Sequence, residues 1–242
     1  RMILRRAPAG VPVVEKISLE TEAALMRAAE SAGVPSPHVH HVIQPDDDFG
    51  RGFFMSHVEG EALGRKIVRD EQFAAIRPKL ARLAGEVLAR IHKIDASRFP
   101  ELPRIAPAEE VATMYENYRR WSQPRPVFEL AFRWLNQHMP AQDTAPRLVH
   151  GDFRNGNMLV APDRIAAVLD WELAHVGDPM RDLGWICTAA WRYSLIDKPV
   201  GGFGEREDLM AGYEAGGGGR FDPDVLKFWE TMGSVRWGVM CM

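Results

Sequence analysis

Apolar residues along this chain recur at two spacings, and the switches between them mark out its elements. Met2-Ile3-Leu4 followed by Arg5 is a short apolar run closed by a cation, and it predicts a strand. Residues 7–14 contain Pro8, Gly10 and Pro12 and predict a turn-rich connector. Over residues 18–32, Ser18 can cap a helix whose Leu19, Glu22, Leu25, Met26 and Ala29 fall near one face. Pro35 and Pro37 then enforce extended chain. Residues 39–44 and 52–58 predict two strands around the polar turn at residues 46–50. Phe73, Ile76, Leu80, Leu83, Val87, Leu88 and Ile91 keep a three-four spacing and predict one long amphipathic helix. Pro78 either kinks that helix or marks its first turn. Residues 100–107 predict a loop, and 111–121 and 127–138 two further helices. Met158-Leu159-Val160 and the apolar run 165–169 flank a turn at Pro162-Asp163 and predict a hairpin. A helix is expected from Asp182, and a last one after Asp222-Pro223-Asp224. Early strands and late helices make this an α+β chain, a small lobe followed by a larger helical one.

At 242 residues the chain can bury a large core. The net charge of −3 provides no basic footprint, which argues against a nucleic-acid partner. No run approaches 18 apolar residues, so no membrane span is expected. The two cysteines, Cys187 and Cys241, fit a reduced, cytoplasmic setting. His38, His40 and His41 suggest a metal cluster. On a strand, however, His41 points away from the other two, and no fourth ligand follows at zinc spacing. Asp46, Asp47 and Asp48 lack the alternating spacing of a calcium loop. The glycine clusters at 201–204 and 216–219 neither follow a strand nor end in Gly-Lys-Ser/Thr, so they are not a P-loop.

The chemistry is concentrated at His150-Gly151-Asp152-Phe153-Arg154-Asn155-Gly156-Asn157 and at Asp170-Trp171-Glu172. Asp152 and Asn157 are five positions apart, the spacing of a kinase catalytic loop. The predicted hairpin returns Asp170 to the same small volume. Phosphoryl transfer needs an oriented hydroxyl and neutralised phosphate charge rather than covalent work by the protein. Asp152 suits the acceptance of a hydroxyl proton. Asn157 and Asp170 supply hard oxygens of the kind that hold Mg2+ against nucleotide phosphates.

Residues 148–157, Leu169-Asp170-Trp171-Glu172, Gly177-Asp178-Pro179 and Asp182-Leu183-Gly184-Trp185 together resemble the aminoglycoside phosphotransferase family. That family includes choline kinase-like enzymes. Within it the chain looks most like phosphotransferase domains related to the N-terminal part of some acyl-CoA dehydrogenase-family proteins. The resemblance implies a protein-kinase-like two-lobed fold, with residues 1–60 as the N-terminal lobe and 61–242 as the helical lobe. It implies ATP and Mg2+ as cofactors, and a nucleotide and a small hydroxylated molecule as partners. Arg5 falls where kinases carry a strand-end lysine facing the phosphates, and Glu22 where the family pattern has its ion-pairing glutamate. Residues 53–60 resemble the hinge, so the Ser56 carbonyl and Val58 amide would read an adenine while Met55 or Phe54 closes the pocket behind it. Asp182 would brace the catalytic loop through backbone hydrogen bonds, and Asp178 would do structural work beside it. His92 is expected to be a hydrogen-bonded structural histidine. The family's fold has two strands and a phosphate-covering loop before its lysine strand, so the chain is expected to be incomplete at its ends.

The segment after Asp170 reaches Gly177-Asp178-Pro179 with no Ala-Pro-Glu and little room for a peptide platform, which favours a small-molecule acceptor. Residues 101–145 mix Glu101, Glu109, Glu110, Glu116, Glu129 and Asp143 with Arg104, Arg119, Arg120, Arg125 and Arg133, and Trp121, Trp185 and Trp191 add apolar area. A polycationic aminoglycoside needs a strongly acidic pocket. The mixture suits a neutral or anionic hydroxylated metabolite with an apolar part, such as a hydroxyacyl compound. The alternatives are a nucleotide-binding pseudokinase, an aminoglycoside-modifying kinase, and a non-enzymatic adaptor.

Overall fold

A computed structural model describes residues 1–7, 16–121, 123–141, 145–219 and 222–242. The connector read at residues 7–14 therefore lies, Ala7 apart, outside the described residues, as does Asp143.

The N-terminal part is a three-stranded antiparallel sheet with one helix. Its central strand β3 (Gly52–Ser56) pairs on one side with β1 (Met2–Arg6) and on the other with β2 (Val39–Val42). Arg5 stands opposite Phe53, which is fully buried. Helix α1 (Leu19–Ser31) starts where Ser18 was read as its cap: the Thr21 amide donates to the Ser18 Oγ at 3.1 Å. Its predicted face is the buried one, Glu22 included. Strands β2 and β3 are shorter than read. Pro45 starts a 3-10 turn (Pro45–Asp47), which turns the chain away after Val42. The three neighbouring histidines have three separate partners: His38 meets Glu30, His40 meets Ser56 and His41 meets Asp47. They do not converge on a metal.

The long helix expected from Phe73 is broken. Two 3-10 turns (Glu71–Phe73 and Arg77–Lys79) precede α3 (Leu80–Ile91), after a short α2 (Gly64–Ile67). Pro78 has no N–H to donate, so it sits in the opening turn instead of the helix interior. Strand β4 (Arg104–Ile105) interrupts the predicted loop. Helices α4 (Pro107–Arg120) and α5 (Pro126–Gln137) follow, each with proline in its first turn. Next come β5 (Arg147–Val149), the hairpin β6 (Met158–Val160) and β7 (Ile165–Val168), and β8 (His175–Gly177). Helices α6 (Met180–Ile186), α7 (Arg206–Ala215) and α8 (Pro223–Met240) complete the chain. Strand β8 lies between β4 and β5. Helix α7 lies against α3 so closely that a Cβ at Gly85 would be 2.0 Å from the Leu209 carbonyl oxygen. The hairpin is joined to the N-terminal part by the Val168 amide, which donates to the Pro35 carbonyl at 2.8 Å. It is also bridged to the segment after β3, where Glu61 pairs with Val160. The architecture is α+β with a helical majority. Among the described residues no helix is long and apolar enough to cross a membrane.

Candidate active site

The site is built at the ends of β5 and β7. After Val149 the chain turns through His150 and Gly151. Gly151 has φ +86°, and a Cβ there would be 2.2 Å from the Leu173 carbonyl oxygen, so only glycine fits. Asp182, on α6, receives the amides of His150 at 2.8 Å and Gly151 at 2.9 Å. Its carboxylate also meets His92 Nε2 at 3.1 Å, while His92 Nδ1 meets the Tyr213 hydroxyl. Burial opposes ionisation of Asp182, but His92, His150 and Arg181 outweigh it and hold the carboxyl down to about 2. Asp182 is thus a buried anionic anchor for the loop backbone, as read from the sequence, and His92 is structural. Asp178 receives the Met180 amide at 2.9 Å and the Trp229 indole at 2.8 Å, also as read.

His150 orders the loop from inside. Its Nδ1 accepts from the Asp152 amide at 3.2 Å, which leaves Nε2 to donate to the Leu169 carbonyl at 3.1 Å. Burial pushes the imidazole below its ordinary pKa, consistent with this neutral tautomer. One ring therefore ties the catalytic loop to the residue before Asp170.

The Asp152 carboxylate is held by three side chains. Asn157 Nδ2 donates to Oδ2 at 2.6 Å and to the Asp152 carbonyl at 3.0 Å. Trp185 Nε1 donates to Oδ1 at 2.6 Å, and Arg154 Nε donates to the same oxygen at 3.1 Å. The Arg154 guanidinium lies over Trp191, 4.4 Å from the ring centroid. Trp185, which the sequence presents as apolar area, and Arg154 both orient Asp152. Trp185 is 33 residues away in sequence, and no local pattern marks it.

Asp170 follows β7 with φ +65°, a left-handed conformation uncommon outside glycine. Its Oδ1 is buried and has no hydrogen-bond partner among the described residues. Arg5 NH2 is 3.9 Å from that oxygen. Arg5 also meets Glu22 at 3.4 Å through Nε and Glu172 at 3.0 Å through NH2. Burial, then Glu172, raises the Asp170 pKa against the opposing charge of Arg5. Burial likewise raises Glu22, with Arg5 opposing. The pairing of Arg5 with Glu22 stands as read; Glu172 as a third carboxylate on Arg5 was missed.

The Leu169 amide donates to the Asn157 carbonyl at 2.8 Å, which binds the two halves of the site together. Since Asn157 Nδ2 is committed to Asp152, its Oδ1 is the end left for a cation. An uncommitted carboxamide oxygen and a carboxylate oxygen without a partner among the described residues are hard donors of the kind that Mg2+ takes. Met55 and Ser56 lie at the end of β3 and Val58 just beyond, all half-buried. The Ser56 amide is taken by the His38 carbonyl and its Oγ by His40. No hydrogen bond joins Met55, Ser56 or Val58 to Arg5, Asp152 or Asp170 among the described residues.

One acceptor-side residue needs correction. Glu110 is not a free charge lining a cleft. It is buried on α4 and paired with Arg181 at 2.7 and 2.9 Å and with Arg236 at 2.9 Å. Arg181 in turn donates to the Gly151 carbonyl at 2.9 Å. Three helices are thereby pinned to the loop from behind.

Residues 1–229 match the model of the phosphotransferase enzyme family. Acyl-CoA dehydrogenase family member 10 of mouse is 30% identical over 205 residues, which are 78% of this chain and 18% of that protein. The chain therefore spans about a fifth of that relative's length. Among solved structures, a choline/ethanolamine kinase family protein from Mesorhizobium loti superposes with a TM-score of 0.67 at 22% identity, over 99% of this chain and 72% of that one. An aminoglycoside phosphotransferase from Streptomyces rimosus, in complex with ADP and streptomycin, superposes with a TM-score of 0.62 at 18% identity, over 94% and 85%. These likenesses establish a protein-kinase-like fold.

Proposed function

This chain belongs to the phosphotransferase enzyme family, and from that premise we propose that it is an ATP-dependent small-molecule kinase that phosphorylates a hydroxyl of a metabolite. The observation that carries this reading is the meeting of Asp152, Asn157 and Asp170, with one Asp170 oxygen buried and unpartnered.

Asp152 accepts the proton of the acceptor hydroxyl. Trp185, Arg154 and Asn157 each hold the carboxylate by a hydrogen bond, so it is oriented before the acceptor arrives. Asn157 Oδ1 and Asp170 would hold Mg2+, which would supply charge neutralisation for the nucleotide phosphates. Arg5, steadied by Glu22 and Glu172, presents a cation to those phosphates. Met55, Ser56 and Val58 would border the adenine, with the nucleotide between residues 1–60 and the helical remainder.

The acceptor we propose is a neutral or anionic hydroxylated metabolite with an apolar part, such as a hydroxyacyl compound, and not a polycationic aminoglycoside. With Glu110 neutralised by two arginines, the acidic contribution on the acceptor side is smaller than its sequence count suggests. Trp185, which holds Asp152, and Trp191 are buried, and Trp237, edge-on to Trp191, is the exposed apolar ring of the three.

ADP release by the full chain in the presence of ATP, Mg2+ and pools of hydroxylated metabolites tests the reading. Asp152→Asn is expected to lower turnover by roughly 10²–10⁴ with little change in nucleotide affinity. Wild-type turnover in that variant would remove the loop from catalysis. Efficient phosphorylation of kanamycin with none of hydroxyacyl compounds would overturn the acceptor class.

A further inference from the structure

An open pocket of about 660 Å³ adjoins the catalytic loop. The loop contributes Arg154 to one wall, the segment after the Glu61–Val160 bridge contributes another, and Tyr193 a third. Four of the lining residues are cations, Arg65, Lys66, Arg69 and Arg154, and Asp70 is the one anion among those described. In a chain of net charge −3 this is a local reversal of sign.

These cations are incompletely satisfied. Lys66 pairs with Glu61 at 2.9 Å, and among the described residues Arg69 reaches only the Tyr193 carbonyl, at 3.3 Å. Arg65 is exposed and forms no ion pair among the described residues. Arg154 connects pocket and chemistry, since it both lines the cavity and hydrogen-bonds Asp152. A hydroxyl held at Asp152 therefore has the pocket one arginine side chain away.

The third wall is strained. Tyr193 and Ser194 are consecutive non-glycine residues at φ +49° and +71°. The Tyr193 ring lies so close to Gly64 that a Cβ there would meet it at 2.3 Å, which keeps α2 and its cations against the cavity. Backbone strain of this kind concentrates at ligand clamps.

We propose that this pocket binds an anionic group of the acceptor, a phosphate or a carboxylate, carried beyond the hydroxyl that is phosphorylated. The inference rests on the kinase reading and narrows its substrate class to hydroxylated metabolites bearing such a group. Guanidinium groups suit both anions through paired N–H donors, and the same cluster repels polyamines.

The first test is calorimetric titration of the full chain with inorganic phosphate while Mg-ADP saturates the nucleotide site. The double variant Arg65→Gln/Arg69→Gln should weaken phosphate binding at least tenfold. Arg65→Gln alone, which removes no internal contact, should weaken it at least threefold, and Arg164→Gln on the β6–β7 turn should leave it within twofold. The second test compares ADP release with 3-hydroxybutyrate against its methyl ester, and with glycerol 3-phosphate against glycerol. The charged member of the pair that turns over should have at least a tenfold higher kcat/KM. The double variant should remove that advantage by raising acceptor KM, with the KM for ATP within twofold. Phosphate binding indifferent to both pocket variants overturns the proposal. So does a tenfold rise in the KM for ATP with acceptor KM unchanged, which would assign the pocket to the nucleotide. Pocket-dependent phosphate binding without ADP release from any acceptor would support the anion site and count against the kinase reading.

Discussion

Asp170 adopts an unfavourable backbone conformation and leaves one buried oxygen unpartnered, two costs that a carboxylate without a ligand would not sustain for stability alone. Its Oδ1 is 3.9 Å from the Arg5 guanidinium, beyond hydrogen-bond range, and in the proposed reading Mg2+ would add the closer counter-charge. Asp170→Ala is therefore expected to abolish the effect of Mg2+ on nucleotide affinity, measured by titrating nucleotide with and without the metal. An undiminished Mg2+ effect would take Asp170 out of the metal site. Trp185 acts one step further back, since its indole N–H fixes one oxygen of Asp152. A hydrogen bond to a charged group is worth about 1.5–3 kcal/mol, so Trp185→Phe should lower kcat by roughly 10-fold or more. Acceptor KM should change little, because the indole N–H touches the base and not the substrate. Steady-state ADP release separates the two parameters, and a rise in KM at constant kcat would make Trp185 part of the acceptor wall.

At the scale of elements, the catalytic loop is positioned by the helices behind it. Helix α6 provides Asp182 to two loop amides and Arg181 to a loop carbonyl, while Glu110 on α4 accepts from both Arg181 and, on α8, Arg236. Burial opposes the charge on Glu110, but its two arginines hold the carboxyl down to about 2. Glu110→Ala would leave two buried guanidinium groups without their anion, at a cost of about 3–5 kcal/mol. Urea unfolding should show that loss directly. A variant destabilised by less than about 1 kcal/mol would mean that water reaches the cluster and replaces the carboxylate.

At the scale of the whole molecule, the buried imidazoles make stability depend on pH. Burial, reinforced by Arg181, lowers His175 from 6.5 to about 4, and burial lowers His150 as well. For a group whose folded pKa is depressed, the unfolded chain takes up protons first as the solution is acidified. The stabilisation is complete above pH 6.5 and is lost as pH falls toward 4. His175 alone should cost about 1 kcal/mol between pH 7.5 and 5.5, and His150 adds to it in the same direction. Protonating His150 would also break its bond from the Asp152 amide. Asp182 and Glu110, lowered from 3.8 and 4.5 to about 2, lose their contributions as pH falls from those ordinary carboxylate values to about 2, below the window between pH 7.5 and 5.5. Urea midpoints compared at pH 7.5 and 5.5 test this; equal stability at the two would mean that these rings are solvated when folded.

The sequence by itself determined what lies within one element's reach. The five-residue spacing of Asp152 and Asn157, the hairpin returning Asp170, the Ser18 cap and the buried stripe of α1 all depend on local hydrogen bonds or on helical and strand periodicity, and these are written in neighbouring residues. Pro78 was legible as a boundary, though not which kind, because a proline forbids the helix interior without saying on which side the helix forms. The placement of Arg5 beside Glu22 was legible through family resemblance and not through any period. Tertiary structure alone decided the rest. Glu110 reads as a surface charge until α6 and α8 bring two arginines to it. Trp185 reads as apolar bulk until its indole N–H reaches Asp152. Arg65, Lys66 and Arg69 carry no sequence signal of their own, and only the fold sets them with Tyr193 and Arg154 along one open pocket. In each case a side chain's role depends on whether it is desolvated and by whom, and that follows from how distant helices pack.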